Sequence, residues 1–433
     1  MKKIRLTLVL LLSILCIALL ASCGSDDGDK PASGQTVTLN VYNWGEYISN
    51  GKLGSMDVNA AFEKYYFEKY GVKVKVSYST YANNEDMYSK LKNSAVVYDI
   101  VVPSDYMIQK MASEGMLLEF DVANDIPNYQ YISGDFKSPY YDESNKYSVP
   151  YTYGMVGVIY NKNLVDPEDY ESESWGLLWN EKYTGKILQF NNPRDAFGTA
   201  MYYTGLDINS TNTADWDAAL EVLKAQKPLV QGYVNDEIFN KMTTASAAIA
   251  PYYAGDYLTM LELEESLGFY YPTEGTNYFV DAMCIPKNSA NPEIAKEYIN
   301  FMLSEEAAVA NALYIGYASP NTLVQNSEYY QDEMGEDAIE ILYGISPSEI
   351  NADYNEMYGT ACYKSFSPEI QAYTNTLWES LKTENSTELW VHVTAIAIVV
   401  GVVAFATYTT VIKKHRSKDY RLRDKKNART KKA

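Results

Sequence analysis

Histidine is scarce in this sequence: across 433 residues there are only two, His392 and His415. Both lie in the C-terminal apolar stretch and tail, so an exported site that depends on His is excluded, and no pair of Cys or His shows metal-ligand spacing. No metal and no cofactor are expected. Cysteine is scarce as well, with Cys16, Cys23, Cys284 and Cys362 the full set. No G-x-x-x-x-G-K-[ST] loop occurs, so any nucleotide hydrolysis belongs to a separate subunit. No G-x-S-x-G surrounds Ser104 either. An exported hydrolase using Asp195 and Asp281 as acid and base is the enzymatic alternative; it has no further support, and the expectation is a protein without catalysis. Positive charge is also short. Lys and Arg number 36 against 56 Asp and Glu, for a net charge of -20, a balance that repels phosphate and nucleic acid and attracts cations.

Only the two ends carry net positive charge. Lys2, Lys3 and Arg5 precede an apolar run from Leu6 to Leu19, followed by Leu20-Ala21-Ser22-Cys23. That pattern reads as an export signal over residues 1–22 and resembles a bacterial lipoprotein signal, which implies lipidation at Cys23 and a flexible tether over 23–36. Residues 389–412 carry no charged side chain and are rich in Val, Ile and Ala, with Trp390 and Tyr408 near the two ends. They are expected to form a C-terminal transmembrane helix. The tail 413–433 holds eleven Lys or Arg against two Asp, and is expected on the cytoplasmic side against anionic lipid. The sequence thus predicts a protein on the outer face of the cytoplasmic membrane, lipid-anchored, with a second anchor at its C-terminus. Of the cysteines, Cys284 and Cys362 remain for the exported body. They could join as a disulfide in an oxidising compartment, but sequence does not give their separation.

Between the ends, strand and helix patterns alternate. "TVTLNVYN" reads as a strand, "DVNAAFEKYYFEKYG" as a helix stopped at Gly71, and "VKVKVSYST" as a strand of period two. "NNEDMYSKLKN" reads as a helix capped by Asn83 or Asn84, "YDIVVPS" as a buried strand, and "DYMIQKMASEG" as a helix ending at Gly115. "YSVPYTYGMVGVIYNKNLV" is a long extended run, "NPEIAKEYINFMLSEEAAVANALY" one long helix, and "GKILQF" and "AAIAPYYAG" are further strands. Such alternation implies an α/β fold with parallel strands, too long for a single small core. Ligands in such sheets gather at the carboxyl ends of strands, where "NWGEY" and "PSDY" fall.

Eight segments in order, "YNWGEY", "STYANNEDMYSKL", "YDIVVPSDYMIQKM", "YSVPYTYG", "NNPRDAFG", "YFVDAMCIP", "INFML" and "IGYASPN", resemble the spermidine/putrescine-binding proteins of ABC importers over roughly Val37 to Lys382. The resemblance implies a two-lobed, type II periplasmic-binding-protein-like fold with a ligand cleft between the lobes. Lobe 1 would take 37–151 and 281–327, and lobe 2 would take 152–280 and 328–385. Closure about hinges near Pro150–Tyr153 and Val280–Asp281 would present the ligand to a membrane permease. It also implies roles: Trp44 stacks on ligand methylenes with Glu46 and Tyr47 beside it, and Ser104 and Tyr106 line the same wall. Asn192 and Asp195 come from the second lobe, Tyr253 and Phe279 supply rings, Asp281 holds an amine, and Tyr317 completes the lining.

The chemistry of these residue types agrees with that assignment. A polyamine carries an ammonium at each end of an apolar spacer and stays charged, its amines titrating near lysine's value of roughly 10. Burying those ammoniums is costly unless carboxylates meet them. Asp281, Asp195 and Glu46 are the candidate anions, and 41 tyrosines make an aromatic lining easy to supply. This chain departs from the family pattern at Gly45, where a hydroxyl residue is usual, at Asn192 and Asp195, where other acidic residues occur, and at Phe279, often Trp. A Lys364 facing the ligand would repel an amine. Another small organic cation, or a sensing role, is the alternative.

Overall fold

The alternation read from the sequence becomes nine strands in the computed structural model, which describes residues 36–93, 95–344, 361–383, 398–404 and 407–409. In chain order they are β1 Val37–Trp44, β2 Val74–Tyr81, β3 Ile100–Val101, β4 Ser148–Asn161, β5 Ile187–Phe190, β6 Val230–Val234, β7 Ile249–Tyr253, β8 Leu267–Tyr270 and β9 Tyr278–Cys284. The described residues fall into two compact units. One draws them from Met1–Met155, Tyr253–Glu262 and Tyr278–Asp353, the other from Val156–Tyr252, Leu263–Asn277 and Tyr354–Ala433.

In the first unit the strand order is β2-β1-β3-β9-β4. β1 is parallel to both β2 and β3, while β9 runs antiparallel to β3 and to the first part of β4. Leu39, Val41, Ile100 and Val101 are buried to within 1 %, as expected of parallel strands covered on both faces. The covering helices start and stop where side chains satisfy their ends. Asp57 accepts the Ala60 amide at the head of the Val58–Tyr70 helix, and Gly71, at φ 70°, closes it. Asn83 accepts the Asp86 amide at 2.8 Å where the Asn84–Asn93 helix begins. The single long helix expected after Asn291 is two, Pro292–Met302 and Glu305–Ile315. Ser304 interrupts them in extended conformation, its hydroxyl turned back onto the Phe301 carbonyl at 2.7 Å.

The second unit holds the later part of β4, antiparallel to β8, with β7, β5 and β6 following in the order. β5 is parallel to β6 and to β7. Trp175, Trp216 and Phe197 are its large buried side chains, at 1 % exposure or less.

The expected second anchor is corrected. No helix among the described residues is long and apolar enough to cross a membrane, which overturns the C-terminal transmembrane helix. Of 389–412, the described residues are 398–404 and 407–409 alone, and they are helical. The membrane placement built on that second anchor falls with it. Cys284 and Cys362 form no disulfide, which answers the question the sequence left open. The export signal 1–22, Cys23 with the tether 23–36, and the tail 413–433 lie outside the described residues, apart from Thr36.

Candidate functional site

Three chain segments that share no sequence neighbourhood meet at Asp281. β9 carries Asp281 between β3 and β4, and just beyond β3 the chain stays beside it, with Ser104 bridging Asp281 and the Ala282 amide donating to Pro103. Ser104 sits at the N-cap of the Asp105–Ser113 helix, yet its side chain makes no cap hydrogen bond. Its hydroxyl donates instead to Asp281 Oδ1 at 2.6 Å. Asn84 holds it there: Asn84 Nδ2 donates to Ser104 Oγ at 3.0 Å and to the Tyr106 hydroxyl at 3.2 Å, and Asn84 Oδ1 accepts the Ser104 amide.

The other carboxylate oxygen is held from β1 and β4. β1 ends at Trp44, and Glu46 then turns through a left-handed conformation, φ 46°, before Tyr47 brings its hydroxyl to Asp281 Oδ2 at 2.7 Å. On β4 the register slips between Pro150, opposite Ala282, and Thr152, opposite Asp281. A proline gives no N–H to a ladder, and a bulge of this kind re-aims the side chains beside it. Thr152 Oγ1 thereby lies 2.6 Å from the Tyr47 hydroxyl. Since that hydroxyl's one proton goes to Asp281, Thr152 is the donor in this pair. Burial first, and the Asp281 charge second, push the Tyr47 phenol well above its ordinary pKa, so it remains a donor. Asp281 itself is 4 % exposed. Hydroxyl donors fix a carboxylate's position but add no opposite charge, so this frame orients an anion without cancelling it.

Rings stand next to this carboxylate. Tyr317 meets Tyr47 edge-on at 5.1 Å between centroids, Phe279 lies 6.1 Å from Tyr317, and Tyr253 is edge-on to Phe279 at 5.4 Å. Two glycines make room: a Cβ on Gly255 would stand 2.2 Å from the Tyr317 ring, and one on Gly154 would stand 3.1 Å from Phe279. The Tyr317 hydroxyl donates to Asp256 Oδ2 at 2.9 Å, which adds a second carboxylate to this wall. Trp44 is half-buried, its Nε1 donating to the Val102 carbonyl at 2.9 Å and its ring tilted over Tyr81 at 4.6 Å. It is tied to the strand end that leads into Ser104. Tyr106, buried, is a second-tier member through Asn84 and donates to Glu85 at 3.0 Å.

Glu46 is placed differently. It is exposed and lines a surface cavity of about 360 Å³ with Tyr47, Asp57, Glu63, Lys75 and Tyr78. In the second unit Asn192 caps the Pro193–Tyr203 helix: its Oδ1 accepts the Asp195 amide at 2.8 Å and its Nδ2 donates to Asp195 Oδ2 at 2.6 Å. Asn192 thus has a structural task, helix capping, besides any contact with a ligand. Sequence reading missed Thr152, Asn84 and Asp256. The first two are recruited by long-range pairing, and an acidic residue in a helix's first turn is unexceptional because it complements the helix dipole.

The sequence profile described as bacterial extracellular solute-binding protein matches residues 59–335. The chain belongs to that family. Among curated relatives, the spermidine/putrescine-binding periplasmic protein of Escherichia coli K12 is 32 % identical over 66 % of this chain and 78 % of its own length. Spermidine/putrescine-binding periplasmic protein 1 of Haemophilus influenzae is 28 % identical over 82 % of this chain and 96 % of its own. The crystal structure of the spermidine/putrescine ABC transporter substrate-binding protein of Streptococcus pneumoniae superposes with a TM-score of 0.62 at 30 % identity, over 80 % of this chain and 99 % of that one. The periplasmic-binding-protein fold expected from the sequence fits these comparisons.

Proposed function

We propose that this protein is a polyamine receptor, binding spermidine or putrescine and delivering it to an ABC import permease whose ATPase is a separate subunit. The observation that carries the reading is Asp281, a carboxylate 4 % exposed with both oxygens held by hydroxyls beside a wall of rings. A family whose relatives are named for these ligands supports it. In this reading an ammonium meets Asp281 through charge-assisted hydrogen bonds, and the spacer lies against Tyr317, Phe279, Tyr253 and Trp44. Each cation over a ring contributes about 0.5–2 kcal/mol. Asp256, beside Tyr317, adds negative potential on the same wall, and Asp195 of the second unit meets an ammonium as well. The reading assigns the protein no catalytic step. Its test is calorimetric titration of the purified protein with putrescine, spermidine and spermine, and with a neutral sugar and an oxyanion as controls. Binding of a polyamine at micromolar or lower concentration is the expected result. Heat from the sugar or the oxyanion, with none from the polyamines, overturns it.

A further inference from the structure

In the second unit, a segment from the C-terminal part of the chain, residues 361–366, is fastened to the first turns of the Pro193–Tyr203 helix that carries Asp195. The Arg194 guanidinium lies over two of its rings, 4.3 Å from the Tyr363 centroid and 3.9 Å from that of Phe366. The Tyr363 hydroxyl donates to the Arg194 carbonyl at 3.1 Å. That approach depends on Gly198, where a Cβ would stand 2.3 Å from the Tyr363 oxygen. Asn209 secures the segment's backbone: its Nδ2 donates to the Cys362 carbonyl at 2.8 Å, and its Oδ1 accepts the Lys364 amide at 2.7 Å and Arg194 Nη2 at 3.2 Å. Arg194, Asp195, Tyr363 and Phe366 are each at most 8 % exposed, so the fastening is a packed contact. Burial first and the neighbouring Asp195 charge second hold the Tyr363 phenol protonated, well above its ordinary pKa. It therefore stays a donor.

We propose that Tyr363 is a positioning residue for Asp195: the 361–366 segment fixes the helix's first turn and thereby the direction in which Asp195 presents its carboxylate to a ligand ammonium. This rests on the reading of Asp195 as an amine-binding group. Asn192 holds Asp195 from within the helix, and Tyr363 holds the same turn from outside it. The two restraints act on one side chain from different parts of the sequence.

The test is a double-mutant cycle on the full-length protein, read as putrescine and spermidine affinity by calorimetry. Asp195→Asn and Tyr363→Phe are measured singly and together, with Gly198→Ala as an independent way of displacing the Tyr363 hydroxyl. Tyr363→Phe is expected to weaken binding about tenfold in the native background, since it removes one hydrogen bond from a charged turn. It is expected to act less than about twofold once Asp195 is Asn, because neighbouring effects do not add. Gly198→Ala is expected to follow the same pattern. Equal losses in both backgrounds overturn the proposal while leaving Asp195 as a ligand contact. Unchanged affinity in Asp195→Asn overturns both.

Discussion

Replacing Asp281 by Asn changes one charge and almost no volume, which makes it a sharp probe of the site. In the native protein the Tyr47 and Ser104 hydroxyls both donate to the carboxylate, at 2.7 and 2.6 Å. An Asn side chain offers one acceptor oxygen and one donating amide, and one of the two hydroxyls can rotate to accept from it. The unliganded fold therefore keeps its hydrogen bonds and loses a buried charge, so its thermal midpoint is expected to stay level or rise. Ligand binding is affected differently. Removing one partner of a buried charge pair costs about 3–5 kcal/mol, and at about 1.4 kcal/mol per decade this predicts affinity weaker by roughly two to three and a half orders of magnitude. Isothermal calorimetry with spermidine and putrescine reads the affinity, and a thermal melt of the same sample reads the fold. A loss of less than about fivefold with an unchanged melt would refute the reasoning, because a carboxylate facing an ammonium in a dry site cannot be that cheaply replaced.

Other consequences follow from the same geometry. Gly255→Ala places a Cβ 2.2 Å from the Tyr317 ring, and overpacking of this kind costs about 1–3 kcal/mol; a lower thermal midpoint and weaker polyamine binding are expected together, and wild-type values for both contradict the packing described. Tyr47, Tyr81 and Tyr151 have phenol pKa values pushed well above the ordinary 10.0, chiefly by burial. Native tyrosines therefore hold protons that unfolded ones release, so stability is fully present below about pH 10 and declines as pH rises beyond it; urea unfolding across pH 7–11 checks the sign. Cys284 is buried, with its thiol pKa pushed well up by burial, whereas Cys362 is partly exposed. A maleimide read out by peptide mass spectrometry should modify Cys362 first under native conditions, and faster labelling of Cys284 would show the β9 packing to be wrong.

Much of the first unit was legible because its signals are local. β1, β2 and the helices capped by Asp57 and Asn83 follow from period, cap and stop residues. Tyr47, Ser104 and Asp281 entered one candidate set through their motifs, and the structure puts the Tyr47 and Ser104 hydroxyls each within hydrogen-bond distance of Asp281. What sequence could not give is contact set by pairing register. Thr152 reaches Tyr47 only because β4 bulges after Pro150, and Asn84 reaches Ser104 only because its helix start lies beside the end of β3. Glu46 was grouped with Tyr47 by adjacency, and the two line one surface cavity, while only the Tyr47 hydroxyl reaches Asp281. The expected long helix after Asn291 breaks at Ser304, whose backbone is extended and whose hydroxyl bonds back to the Phe301 carbonyl, a local alternative to the helix ladder that a continuous apolar period does not reveal. Of the uncharged stretch 389–412 only 398–404 and 407–409 are described, and no helix among the described residues has the length and apolarity to cross a membrane.

The most direct measurement of the central claim is a crystal structure of the protein grown with putrescine. The account predicts a ligand nitrogen at hydrogen-bond distance, about 2.7–2.9 Å, from Asp281, with the methylenes against the Tyr317 and Phe279 rings and the Tyr47 and Ser104 hydroxyls still in place. A ligand seated in the Glu46 cavity, with Asp281 untouched, would contradict it.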